Sequence, residues 1–200
     1  MKKITIVSSA LALTILVGST FMLENNQNVA AKQEKLKIND VRSTSQIREY
    51  KEELSRSINT LSKEVDDQEN ILVTVTFRKP LNYNQLTKIV EDYNINAIQI
   101  VGRAIQEEKT RSTFTARPID GQLYDKKIIQ EMLDQNDAKF KGFIEIVGEV
   151  KDGEMVNLIS DNKVYSLDPS ADKHYSLGDT DTKPVQGLYW RLENNNMTDE

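Results

Sequence analysis

No glycine or proline occurs from Ser19 to Lys79, a run of 61 residues, so nothing there breaks a helix or forces a tight turn. Within that run Ile47, Tyr50, Leu54, Ile58, Leu61 and Val65 recur three or four residues apart. On a helix those positions form one apolar stripe, so the spacing predicts a helix of about 20 residues over 45–66. Ser43, Thr44 and Ser45 are candidate N-caps, and the opposite face is Lys, Glu, Arg and Ser. The stripe can pack on the domain that follows, or serve as a short coiled coil or partner-binding helix, although fewer than three heptads are present. On the second reading Ile47, Leu54 and Leu61 are partner-binding candidates. Residues 32–44 read as a polar linker.

At residue 71 the hydrophobic period changes. Ile71, Val73, Val75 and Phe77 alternate with Leu72, Thr74 and Thr76, the pattern of a half-buried strand that Pro80 ends. Asn82 can cap a helix running to about Tyr93, with Leu86, Ile89, Val90 and Tyr93 on one side. Ala97–Val101 reads as a strand stopped by Gly102, and 106–109 as a polar turn. Arg111–Arg117 reads as a strand broken by Pro118 and Asp120-Gly121. Tyr124, Ile128, Ile129, Met132 and Leu133 mark a helix, and Phe140–Val150 a long strand. Asp152 is placed to cap a short helix carrying Met155, Leu158 and Ile159. Lys163–Leu167 reads as a strand closed by Asp168-Pro169. A polar, Asp-rich loop runs through Pro184, and Leu188, Trp190 and Leu192 alternate as a final strand before a disordered tail over 194–200.

Strands and helices in this order predict an α+β domain over 70–193: a ferredoxin-like α/β sandwich, β-α-β-β-α-β, on an antiparallel sheet. An N-terminal amphipathic helix and a C-terminal strand flank it. Two threadings fit. Residues 71–150 form the whole motif, or Phe140–Val150, the 155–159 helix and 164–167 supply its second half and 111–135 is an insertion. Either way one sheet face is expected to lack helices, leaving Thr- and Phe-bearing strands as a partner surface.

The first residues read as an export signal. Lys2 and Lys3 precede residues 4–23, which carry no charge, and Val29-Ala30-Ala31 offers small side chains for cleavage after Ala31. The alternative is an uncleaved anchor, since about 20 uncharged residues can just span a bilayer. With Cys 0 there is no lipid anchor, disulfide framework or thiolate chemistry, so the core must suffice alone. Removing 1–31 takes two lysines and one glutamate from the 26 basic and 31 acidic residues, leaving a net charge of −6. The sequence therefore predicts an acidic protein, secreted or extracytoplasmic and bacterial in the style of its signal. No nucleic-acid partner is expected, and membrane contact only through 4–23 if the leader is retained.

Motifs for catalysis are missing: no GxGxxG, Walker A, HExxH, GxSxG, EF-hand or SxxK occurs. His174, the one histidine, lies in a polar segment and reads as solvated. Asp168, Asp172, Asp179 and Asp181 are candidate oxygen ligands for a hard cation, but without EF-hand spacing; no cofactor is expected. Glu145 and Glu149 fall on one face of the 140–150 strand, where solvation or ion pairing is the expected role and acid–base work the alternative. Arg103, Arg111 and Arg117 are too dispersed for a nucleic-acid stripe.

The segments Ile71–Phe77, Asn82–Tyr93, Ala97–Val101, Phe143–Val150, Met155–Ile159 and Val164–Asp168 cover about half of the chain after the leader. In architecture and apolar pattern they resemble the inhibitor-type propeptide domains of subtilisin-like proteases. Two departures are the insertion over 111–135 and the missing protease domain. The resemblance implies that Val164, Tyr165, Leu167 and the residues to Ser170 enter an enzyme cleft, with the chain acting in trans.

These readings predict an exported, non-enzymatic protein-interaction module with an unidentified protein partner. The alternatives are a trans-acting inhibitor or folding assistant of a secreted subtilisin-like protease, and a carboxylate-dependent hydrolase using Glu145, Glu149 or the Asp cluster. A stalked envelope component is a further possibility if the leader is retained.

Overall fold

A computed structural model describes residues 36–106, 110–175 and 186–198. The leader, its cleavage point at Ala31, the stretch 4–23 and the candidate ligands Asp179 and Asp181 lie outside the described residues.

Helix α1 (Thr44–Glu64) begins at a capping box, Ser43 accepting from the Gln46 backbone while the Gln46 side chain closes back on the cap. Strand β1 (Asn70–Leu81) follows, then α2 (Tyr83–Asp92), capped in the same manner by Asn82 and Gln85. Next come β2 (Asn96–Gln106), β3 (Arg111–Ala116) and α3 (Lys126–Gln135), the last capped by Asp125. The chain continues with β4 (Ala138–Lys151), α4 (Asp152–Ser160), β5 (Val164–Asp168) and the short α5 (Tyr189–Asn194). Asp152 opens α4 from inside the helix and makes no cap bond, because Lys151 occupies the cap position.

All five strands form one antiparallel sheet in the order β3-β2-β4-β1-β5. Long β4 sits at its centre, paired on one side with β1 (Val75 opposite Ile146) and on the other with β2 (Ile100 opposite Ile146). One face is apolar. Ile71, Val73, Val75, Ile146, Val150 and Leu167 pack there against Leu86 and Ile89 of α2, Met155 and Leu158 of α4, and Ile58 of α1. Phe114, Phe140, Phe143, Tyr83 and Tyr124 close one end of this core as an aromatic cluster, with ring centroids 5.0–6.5 Å apart. Gly102 makes room for it, because a Cβ there would lie 2.1 Å from Cζ of Phe114.

The opposite face is not the open surface expected from sequence. It carries buried Thr74, Thr76, Arg103, Glu145, Ser166 and Asp168, and the chain's own C-terminal segment covers part of it. Leu188, Trp190 and Leu192 were expected to alternate as a strand, but Tyr189–Asn194 is helical. In a helix Leu188 and Leu192 fall one turn apart, and both are buried with Val41, Ile47, Tyr50, Leu54 and Tyr165. The tail does not begin at Asn194: the Asn195, Asn196 and Met197 amides all bond back to α5, and Met197 packs on this second cluster.

The linker reading of 32–44 also changes. Ile38–Asp40 is one turn of 3-10 helix, and Ile38 and Val41 are buried in the same second cluster. Ile38 and Val41, set among Lys, Asn and Asp, carry no period, and their burial follows from packing with Leu188 and Leu192, whose helical conformation the spacing of that segment does not show.

Candidate functional site

α1 lies along β5, so a strand at the sheet's edge has all five residues buried. The stripe on α1 divides between two cores, Ile58 in the larger and Ile47, Tyr50 and Leu54 in the smaller. Consequently the six partner-binding candidates, Val164, Tyr165, Leu167, Ile47, Leu54 and Leu61, are all interior. They hold the helix to the sheet and are not a surface.

Tyr165 is the exception in part. Its ring, 7% exposed, forms the floor of an open groove of about 660 Å³ lined by Arg48, Lys51, Glu52, Ser55 and Arg56 of α1 and by Met197. Lys51 Nζ stands 4.6 Å from the ring centroid, and the Arg78 guanidinium from β1 stands 5.7 Å from it. Among the described residues Arg48, Lys51, Arg56 and Arg78 form no ion pair. Burial and then the neighbouring Arg78 charge lower the Lys51 pKa from its ordinary value. Burial raises that of the Tyr165 hydroxyl, against the opposing pull of Arg78 and Arg48, so at neutral pH it is a proton donor. Three cations and one carboxylate, Glu52, thus line the groove, and a fourth cation, Arg78, stands by the Tyr165 ring.

A second cleft, about 320 Å³, is lined by Arg103, Ile105, Arg111, Lys141, Glu193, Asn196 and Thr198. Here Glu193 pairs with two of the three cations, Arg103 and Arg111. Arg103, 1% exposed, donates through Nε (3.1 Å) and Nη2 (2.5 Å) to Glu193 and through Nη1 to the Ser112 carbonyl (3.3 Å). Arg111 donates to the same carboxylate at 3.2 Å, and Trp190 stacks on Arg103 with 3.8 Å to the ring centroid. Arg103 and Arg111 look dispersed in sequence. The β2–β3 pairing, with Ala104 opposite Ser112 and Ile105 opposite Arg111, brings them together.

The acid–base candidates are separated. Glu145 is buried and accepts the backbone N–H groups of Gly187 (3.2 Å) and Tyr189 (3.1 Å). Burial pushes its carboxyl above the usual range, although the two N–H donors, Arg103 and Arg191 oppose this. Gly187 is required at that contact, since a Cβ would lie 2.4 Å from Cδ of Glu145. Glu149, four residues along the strand, accepts instead from Asn96 Nδ2 at 2.9 Å. The pair shares no cleft.

Asp168 and Asp172 are occupied as well. Asp168 accepts the Tyr50 hydroxyl at 2.5 Å and the Ser170 amide at 2.9 Å, together with the Ser170 hydroxyl. Asp172 takes the Leu72 amide at 2.7 Å and both the amide and Nδ1 of His174 at 2.8 Å. His174 is thus half-buried between Asp172 and Glu69, contrary to the solvated reading. Among the described residues no three His, Asp or Glu side chains are placed to hold a metal, and no helix is long and apolar enough to cross a membrane.

Sequence reasoning missed Arg48, Lys51, Arg56 and Arg78. Arg48, Lys51, Ser55 and Arg56 do recur at helical spacing beside the apolar stripe, but they read as an ordinary solvated face. Arg78 joins them only through the packing of α1 on β5 and β1. Comparisons with protein-family profiles, curated proteins and solved structures give no match to this chain.

Proposed function

We propose that the chain is an exported, non-enzymatic protein-interaction module, and that the Tyr165 groove is its contact surface. The observation that carries this reading is the concentration of cations, none ion-paired among the described residues, around a recessed aromatic ring with Met197 beside it, on a chain of net charge −5. Cations on an acidic surface ordinarily draw carboxylates from their own chain; among the described residues these four form no ion pair. Tyr, Arg and Met are also residue types enriched at protein interfaces. Export rests on Lys2, Lys3 and the uncharged stretch 4–23.

The fold is read as ferredoxin-like with an insertion. Setting aside β3 and α3, the connection β1-α2-β2-β4-α4-β5 and the order β2-β4-β1-β5 support the threading in which 111–135 is inserted. The inhibitor alternative needs the 164–170 segment free to enter an enzyme cleft, and the enclosure of β5 under α1 gives it no support.

The test is affinity capture from the medium and envelope of the exporting cell, using the tagged full chain. Wild-type chain retains a protein at stoichiometric level, Lys51→Glu with Arg78→Glu loses it, and Lys127→Glu, at an exposed position of α3, keeps it. Retention indifferent to the groove reversals overturns the assignment of the surface.

A further inference from the structure

We infer that the second cleft, the one lined by Arg103, Arg111 and Lys141, is a binding site for a small phosphate monoester, separate from the Tyr165 groove. Arg103 of β2 pairs with Gly142 of β4, yet the next residue, Ala104, pairs with Phe140, so Lys141 is the extra residue of a β-bulge. On β3, Arg111 lies opposite Ile105 of β2. Three neighbouring strands thereby bring three cations and Ile105 to one cleft, to which α5 and the residues after it add Glu193, Asn196 and Thr198. Three cations against one carboxylate leave an excess of two positive charges among the described residues of the lining, on a chain of net charge −5. Lys141 forms no ion pair among the described residues.

The chemistry of the lining selects the anion. A guanidinium fork suits a planar carboxylate, and Glu193 already fills that role for Arg103 and Arg111. What is left is an ammonium, an amide and a hydroxyl, at Lys141, Asn196 and Thr198, whose side chains form no hydrogen bond among the described residues. An ammonium acts as a point charge, which suits the several oxygens of a phosphate group. A phosphate monoester carries about −1.5 to −2 charges at pH 7, a match to the excess of two, whereas a carboxylate or a phosphodiester carries one. The cavity, about 320 Å³, is at the small end of ligand pockets and leaves room for a short organic remainder beside Ile105.

Isothermal titration calorimetry of the full chain tests this with ethyl phosphate, inorganic phosphate, dimethyl phosphate and acetate, all at one ionic strength. The Trp190 ring centroid lies 3.8 Å from the Arg103 guanidinium and 5.5 Å from that of Arg111, so its emission reports the same event. Ethyl phosphate and inorganic phosphate bind with dissociation constants on the order of 1 mM, and dimethyl phosphate and acetate roughly tenfold more weakly. Lys141→Gln weakens ethyl phosphate binding roughly tenfold, the scale of one lost charge-assisted hydrogen bond, and Lys141→Arg keeps most of it. Lys141 is exposed, so its replacement leaves the fold intact, and Lys127→Gln, at an exposed position of α3, leaves binding unchanged. No saturable heat or emission change at several times the expected constant overturns the site. Equal binding of acetate or dimethyl phosphate overturns the monoester class, and inorganic phosphate bound without ethyl phosphate marks an adventitious ion only. Binding indifferent to Lys141 overturns the cleft. Binding that appears only with Asp199→Asn and Glu200→Gln in place shows that the chain's own acidic residues fill the cleft, which also overturns the proposal.

Discussion

The Tyr50 hydroxyl donates a 2.5 Å hydrogen bond to Oδ2 of Asp168, 118 residues further along the chain, joining α1 to the end of β5. Both groups are buried, and burial with the adjacent carboxylate holds the phenol far above its ordinary pKa, so it remains the donor. Asp168 is thereby a structural post. Replacing Tyr50 by Phe strands one carboxylate oxygen and lowers stability by about 1–3 kcal/mol, the usual cost of an unsatisfied buried polar atom. Urea unfolding measures it; a midpoint equal to that of the wild-type chain contradicts the role.

Glu145 makes the attachment of the C-terminal segment depend on pH. Its folded-state pKa is raised, so the folded chain binds its proton more readily than the unfolded one. Its contribution is then most favourable below the unfolded value of about 4.3 and is lost as pH rises from there through the raised folded value. The stability of the wild-type chain relative to Glu145→Gln therefore falls as pH rises above about 4. Unfolding at a series of pH values, followed by the emission of the single tryptophan Trp190, reads it. A wild-type chain that gains stability relative to Glu145→Gln as pH rises contradicts the account.

The two arginines on Glu193 differ in environment. Arg103 is nearly inaccessible, whereas the Arg111 side chain is 39% exposed. Arg103→Ala leaves Glu193 short of its main partner and costs about 3–5 kcal/mol, while Arg111→Ala costs about 1 kcal/mol or less. Denaturant titration ranks them, and equal losses would show that burial does not set the strength of this pair.

Elements whose period was long and uninterrupted were legible in the sequence: the stripe from Ile47 to Leu61, the alternation from Ile71 to Phe77, and the strand ending at Val150 all appear where their spacing puts them. Leu188, Trp190 and Leu192 show the limit. Three residues at spacing two fit a strand, yet Leu188 and Leu192 at spacing four fit a helix equally, and the decision lies with Val41 and Tyr50, which are distant in sequence. The groove was illegible for the same reason. Tyr165 was singled out as part of an apolar strand, but nothing local to Arg48, Lys51 or Arg78 shows that packing assembles them around its ring.

The proposed export makes a prediction independent of the fold. N-terminal sequencing of the chain recovered from the medium begins at Lys32, with Ala31 the last residue removed. Recovery of a chain that still begins at Met1, held in the membrane fraction, contradicts cleavage and favours the retained anchor.

The central claim is that the Tyr165 groove touches a protein partner, and the most direct measurement is photo-crosslinking in the exporting cell. A photoreactive amino acid replaces Ser55 in the groove in one chain and Lys127 on α3 in another. The account predicts a single discrete protein adduct from position 55 and none from position 127. Adducts from 127 with none from 55, or none from either, would contradict it.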